Sequence, residues 1–123
     1  MRILVVDDES TVVSELVEWL ISRGHEAIGI TGNLGLPGWV VKQKCDVVLL
    51  DVHLQEANGL WLISQVHSAA PTTAIVVITG DLDPALETIA LQEGARYYFT
   101  KPLDPTILGR ALDKIMDENH HAA

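Results

Sequence analysis

Five short apolar runs, each stopping abruptly at a polar residue or a glycine, constrain this chain more than any other feature. Ile3-Leu4-Val5-Val6 halts at Asp7 and Asp8, and Asp46 to Leu50 halts at Asp51. Thr73 to Thr79 ends before Gly80, Arg96 to Thr100 ends before Lys101, and His25 to Ile30 completes the set. Runs this short and this β-branched read as buried strands. Between them the apolar residues recur at helical spacing, as in Val12, Val13, Leu16, Val17, Leu20 and Ile21 ahead of Gly24. Asp83-Pro84 and Asp104-Pro105 each pair a capping carboxylate with a proline suited to the first helical turn. They open helices expected to run to Gly94 and to about Asp117, and Leu60 to Ala69 reads as another. The segment from Thr31 to Cys45 holds Gly32, Gly35, Pro37 and Gly38, so its helix is expected to be short and to begin near Pro37.

Strands alternating with helices imply a parallel sheet covered on both faces. Right-handed crossovers leave few topologies, and an α/β fold with a doubly wound five-stranded parallel sheet of order 2-1-3-4-5, flavodoxin-like in architecture, fits best. The 123 residues suit one domain, expected over 1–118, with 119–123 as a disordered tail. At 48% apolar, the composition can fill one core. No apolar run approaches a membrane span, no leader peptide is recognisable, and a single cysteine cannot form an internal disulfide. A cytoplasmic location is the expectation. With 8 basic against 17 acidic residues the net charge is −9, and no basic stripe appears, which argues against direct nucleic-acid binding.

In such a sheet the strand C-termini share one edge, and ligands bind there beside the reversal of strand order. Asp7, Asp8 and Asp51 are thus expected together, with Thr79 and Lys101 nearby. Like charges in a partly desolvated site oppose one another's ionisation, and a divalent cation resolves the conflict. Oxygen-only ligands suit Mg²⁺ or Mn²⁺. Lys101 would supply a mobile positive charge and Thr79 a hydroxyl donor. Together these are the parts needed to stabilise charge while a phosphoryl group passes to a carboxylate. Singly, each has an ordinary reading, as a cap, a turn residue, a strand residue or a solvated lysine. Their convergence on one edge carries the argument.

RILVVDDE at 2–9, VVLLDVHLQEANG at 47–59, VVITG at 76–80 and YYFTKPLD at 97–104 resemble, in order, the signature blocks of the response-regulator receiver domain of two-component signalling. The resemblance implies that Asp51 accepts a phosphoryl group from a phosphohistidine on a sensor histidine kinase or phosphotransfer protein. It implies Mg²⁺ held by Asp7, Asp8, Asp51 and the carbonyl of His53, with Lys101 and Thr79 on the phosphoryl oxygens. Tyr98 matches the switch aromatic, so the face formed by helix 4, strand 5 and helix 5 would change shape for a downstream effector, an output domain or a phosphorylation-dependent homodimer. Such a domain is no conventional enzyme; it catalyses its own phosphorylation and slow hydrolysis of the aspartyl phosphate. Gln55 departs from the family's usual proline, whereas Gly59 is kept. His53 and Asp81 flank the expected path of the attacking water and are candidates for tuning phosphoryl lifetime, with two exposed, non-contacting side chains as the plain alternative.

Competing readings are weaker. A flavin module needs a Ser-, Thr- and Gly-rich loop where DDEST stands, and a haloacid-dehalogenase-type phosphatase wants a second acid at His53. A degenerate receiver acting only as a protein-binding module would have lost Asp51, Lys101 or the acidic pair. A stand-alone switch and the N-terminal part of a longer regulator both remain open. Trp19, Trp39 and Trp61 are expected to be packing residues and Cys45 a small buried hydrophobe.

Overall fold

The computed structural model describes residues 1–32, 34–51 and 59–121. Five strands, β1 (Arg2–Val6), β2 (Glu26–Ile30), β3 (Val47–Asp51), β4 (Ala74–Thr79) and β5 (Tyr97–Thr100), alternate with five helices. The helices are α1 (Ser10–Ser22), α2 (Leu36–Gln43), α3 (Gly59–Ala69), α4 (Pro84–Glu93) and α5 (Pro105–His121). All strand pairs are parallel and the sheet order is β2-β1-β3-β4-β5, as expected.

Side chains on a strand alternate between faces, so each strand feeds two cores. Ile3, Val5, Val47, Leu49, Val76 and Ile78 pack with Leu20 of α1 and with Leu108, Leu112 and Ile115 of α5. Leu4, Val48, Leu50, Ile75 and Val77 pack on the other face with Val40 of α2, Ile63 and Val66 of α3 and Ala90 of α4. Leu50 is wholly buried, and burial of such a side chain contributes roughly 1.5–3 kcal/mol. The same parity sorts the polar residues at the strand ends. Asp7 and Asp51 follow Val5 and Leu49 onto the α1/α5 face, whereas Thr79 and Tyr98 share the face covered by α3 and α4.

Two capping carboxylates act as the sequence suggests. Asp83 accepts from the Ala85 N–H at 3.0 Å and Asp104 from the Thr106 N–H at 2.9 Å. Short α2 begins after Gly35 in the left-handed region and ends at Lys44, also left-handed with φ 53°. Two expectations are corrected. The last helix continues to His121, past Asp117 and into the stretch read as a tail, because nothing between Asp117 and His121 breaks a helix. Trp61 and Trp39 are exposed, at 60% and 37%, rather than packed; Trp61 stands on the outer side of α3 opposite buried Leu62, Ile63 and Val66. Cys45 is buried as expected.

Candidate active site

Register brings the polar strand ends together. Val6 pairs with Leu50 across β1 and β3, so Asp7 and Asp51 are successive neighbours at the C-terminal edge. Thr79 pairs with Thr100, which places Lys101 one residue beyond the same line. Asp7 is 2% exposed. Its Oδ1 accepts the Glu9 N–H at 3.0 Å, while the buried Oδ2 has no hydrogen-bond partner among the described residues. Lys101 lays its ammonium against Asp51 Oδ2, and the same Nζ lies 3.9 Å from Asp7 Oδ2. One cation thus bridges a buried carboxylate, Asp7, and a half-buried one, Asp51.

The electrostatics follow from that crowding. Burial pushes the Asp7 carboxyl above the usual range, and the adjoining Asp51 carboxyl adds to the rise; the Glu9 amide and Asp8 oppose it. For Lys101, burial works to lower the ammonium's pKa, but contact with Asp51 and the charges of Asp51, Asp7 and Glu9 outweigh it and raise the net value. Lys101 is therefore held protonated where an anion would need it.

Asp8 is exposed, and its side chain meets that of Asp7. Among the described residues no three His, Cys, Asp or Glu side chains form a ready metal-binding group, although the side chains of both Asp8 and Asp51 meet that of Asp7. The donors present still suit a hard cation. Asp7 Oδ2 is an orphaned buried oxygen, the Asp51 carboxylate adjoins it, and all the donors are oxygens. His53 and Gln55 lie outside the described residues.

Thr79 is buried, and its hydroxyl accepts the Asp81 N–H at 3.1 Å. That bond ties the hydroxyl to the β4–α4 loop rather than to Asp51. Gly80 has open space around its Cα on the side where a side chain would project. Tyr98 packs against the α3/α4 core with its hydroxyl buried and, among the described residues, lacking a hydrogen-bond partner. Burial raises the phenol's pKa, and Asp81, Glu87 and Asp83 raise it further. Asp81 is half-buried and interacts with its surroundings, while its expected relation to His53 lies outside the described residues. Two contributors were not legible in the sequence. Glu9 positions Asp7 through its backbone N–H, and Glu87 adds to the field at Tyr98; neither belongs to a strand end, and neither residue type signals such a role.

Comparison with known proteins agrees with this arrangement. The family model described as the response regulator receiver domain matches residues 3–113. Protein PilH of Pseudomonas aeruginosa is 31% identical over 117 residues, covering 94% of this chain and 97% of PilH. The TorCAD operon transcriptional regulatory protein TorR of Escherichia coli is 30% identical over 103 residues, covering 84% of this chain. The chain matches only 44% of TorR's length. A receiver domain protein from Clostridium thermocellum superposes with a TM-score of 0.88 at 24% identity, covering 99% and 98% of the two chains. A Burkholderia pseudomallei response regulator crystallised with a phosphorylated aspartic acid, calcium ion and citrate gives a TM-score of 0.81 at 25% identity, over 99% of this chain and 72% of that one. The order of five parallel strands, the paired aspartates under a lysine and the extent of the family match together make this chain a member of the response regulator receiver domain family.

Proposed function

We propose that this receiver is a phosphorylation switch in which Asp51 takes a phosphoryl group from a phosphohistidine on a kinase or phosphotransfer protein. The observation that carries this reading is the Lys101 ammonium seated on a half-buried aspartate, Asp51, and 3.9 Å from a second, buried carboxylate, Asp7. A carboxylate oxygen of Asp51 attacks phosphorus while the P–N bond breaks and its electron pair stays with the imidazole nitrogen. Lys101 moves its charge from the Asp51 oxygen to a phosphoryl oxygen, which is possible because the ammonium is a point charge on a flexible stem. Thr79 gives up the Asp81 N–H and turns its hydroxyl proton toward the same group. Asp7, Asp8, Asp51 and the His53 carbonyl would hold Mg²⁺ or Mn²⁺, which supplies positive charge beside the transferring oxygens. The aspartyl phosphate in the Burkholderia relative supports the choice of acceptor.

The readout follows from which face each residue occupies. Phosphorylation adds roughly −1.5 to −2 charge on the α1/α5 side of the edge. Thr79 and Tyr98 carry the change to the other face, where α4 and β5 lie. Withdrawal of Thr79 frees the start of the β4–α4 loop and alters the seat of Tyr98, biasing the α4–β5–α5 surface toward a downstream partner. His53 and Asp81 are proposed to slow the water that hydrolyses the acyl phosphate. An unchanged dephosphorylation rate in His53→Ala would remove that role.

The switch is tested by intact mass after incubation with a small phosphodonor, with and without Mg²⁺. A metal-dependent gain of one phosphoryl group in the wild type, absent in Asp51→Asn, is expected. No gain under either condition would leave a receiver that works by binding alone.

A further inference from the structure

A cavity of about 310 Å³ adjoins the acceptor pair on the side facing α1. Buried Leu49 and Ile78 form its floor, Val12 and Leu16 of α1 one wall, and Pro102 and Leu103 the other. Asp51 and Lys101 also line it, and exposed Glu15 stands at its mouth. The space equals about ten waters' share of liquid volume, yet it offers them few polar partners. Mostly apolar pockets with a few fixed polar groups, placed where sheet order reverses, are what small ligands occupy.

The charges define the class of ligand. Asp51 and Lys101 already answer each other. Glu15 has no ion-pair partner among the described residues. The surplus charge on the lining is thus negative and sits at the open end, above an apolar interior. We propose that this cavity is a binding site for a small apolar cation of the alkyl- or arylalkylammonium class. The ammonium rests on Glu15 and the hydrocarbon lies between α1 and the β5–α5 turn. A hydrocarbon there packs beside the stem of Lys101 and hinders its movement away from Asp51. Occupancy therefore slows phosphoryl acceptance, a consequence that rests on the function proposed above.

Binding is measured without phosphorylation, by backbone amide shifts during titration with hexylammonium, hexanol and hexanoate. Hexylammonium is expected to move the amides of Val12 to Leu16 and Leu103 with a Kd of about 1 mM. It should bind about fivefold tighter than hexanoate, the scale of an exposed charge pair. Glu15→Gln should erase that preference and leave hexanol unaffected, and Leu16→Trp, which fills the cavity, should weaken all three. Absence of saturable shifts, equal binding of hexanoate, or an unchanged preference in Glu15→Gln would overturn the site. Phosphorylation kinetics with saturating hexylammonium then test the second half. A slower gain of mass supports the restraint on Lys101, and an unchanged rate overturns that restraint while the binding result stands.

Discussion

At the scale of single residues, the site holds a buried charge at a cost in stability. Asp7 is a buried carboxylate beside another carboxylate, and one of its oxygens lacks a hydrogen bond. Its raised pKa means the folded state holds the proton more tightly than the unfolded chain does. As pH rises through that range the unfolded state gains relative stability, so ionised Asp7 weakens the fold at neutral pH. Asp7→Asn is expected to raise the metal-free unfolding midpoint, by about 1–3 kcal/mol in stability, while weakening Mg²⁺-dependent phosphorylation. Calorimetry with and without Mg²⁺ checks both, since added metal should stabilise the wild type more than the variant. Lys101→Ala leaves Asp51 without its neutralising charge. The phosphorylation rate should fall on the order of 10²-fold in a stopped reaction, with Asp51 still the only acceptor.

At the scale of elements, the strands were the most legible part of the sequence and the helix ends the least. β1, β3 and β4 are apolar on both faces, so their limits and the polar residues just beyond them could be read directly, and Asp7, Asp51, Thr79 and Lys101 came with them. The reach of α5 could not be read, because Asp117 to His121 carries neither an apolar stripe nor a stop signal. The outward turn of Trp61 was equally hidden: tryptophan is usually buried, and only packing shows which side of α3 is covered. Close approach between helices is another thing a sequence conceals. Gly94 ends α4 with φ 124°, and a Cβ there would come within 2.5 Å of the His67 ring on α3. Gly94→Ala is expected to cost about 1–3 kcal/mol, seen as a lower denaturant midpoint. Adding His67→Ala should recover the steric share but not the backbone share. Asp83→Ala, which only uncaps α4, should cost about 1 kcal/mol.

For the whole molecule, the parity of the sheet divides the labour. The α1/α5 face holds Asp7, Asp51 and the cavity beside Lys101, whereas the α3/α4 face holds Thr79 and Tyr98. In the switch proposed above, a change of charge on one side would reach a partner surface on the other through residues at the sheet's edge. At the opposite edge lies a pH-sensitive contact. His25 is buried, and burial lowers its pKa, helped by the Met1 α-amino group 3.1 Å from Nδ1 and by Arg23, against the pull of Asp113. The unfolded chain takes up a proton near pH 6.5 while the folded chain resists it. Stability is thus full above that pH and declines as pH falls below it, by at most about 1.4 kcal/mol per pH unit. Denaturant titrations between pH 7.5 and 5.5 should show this decline, and His25→Asn should flatten it.

The central claim is that Asp51 is the phosphoryl acceptor, and the position of the label tests it most directly. The protein is treated with phosphodonor and Mg²⁺, the acyl phosphate is trapped by borohydride reduction, and the modified residue is located by peptide fragmentation. Reduction confined to Asp51, and lost in Asp51→Asn, is the predicted result. A label on any other side chain, or a phosphorylated protein that borohydride does not convert at Asp51, would contradict the account.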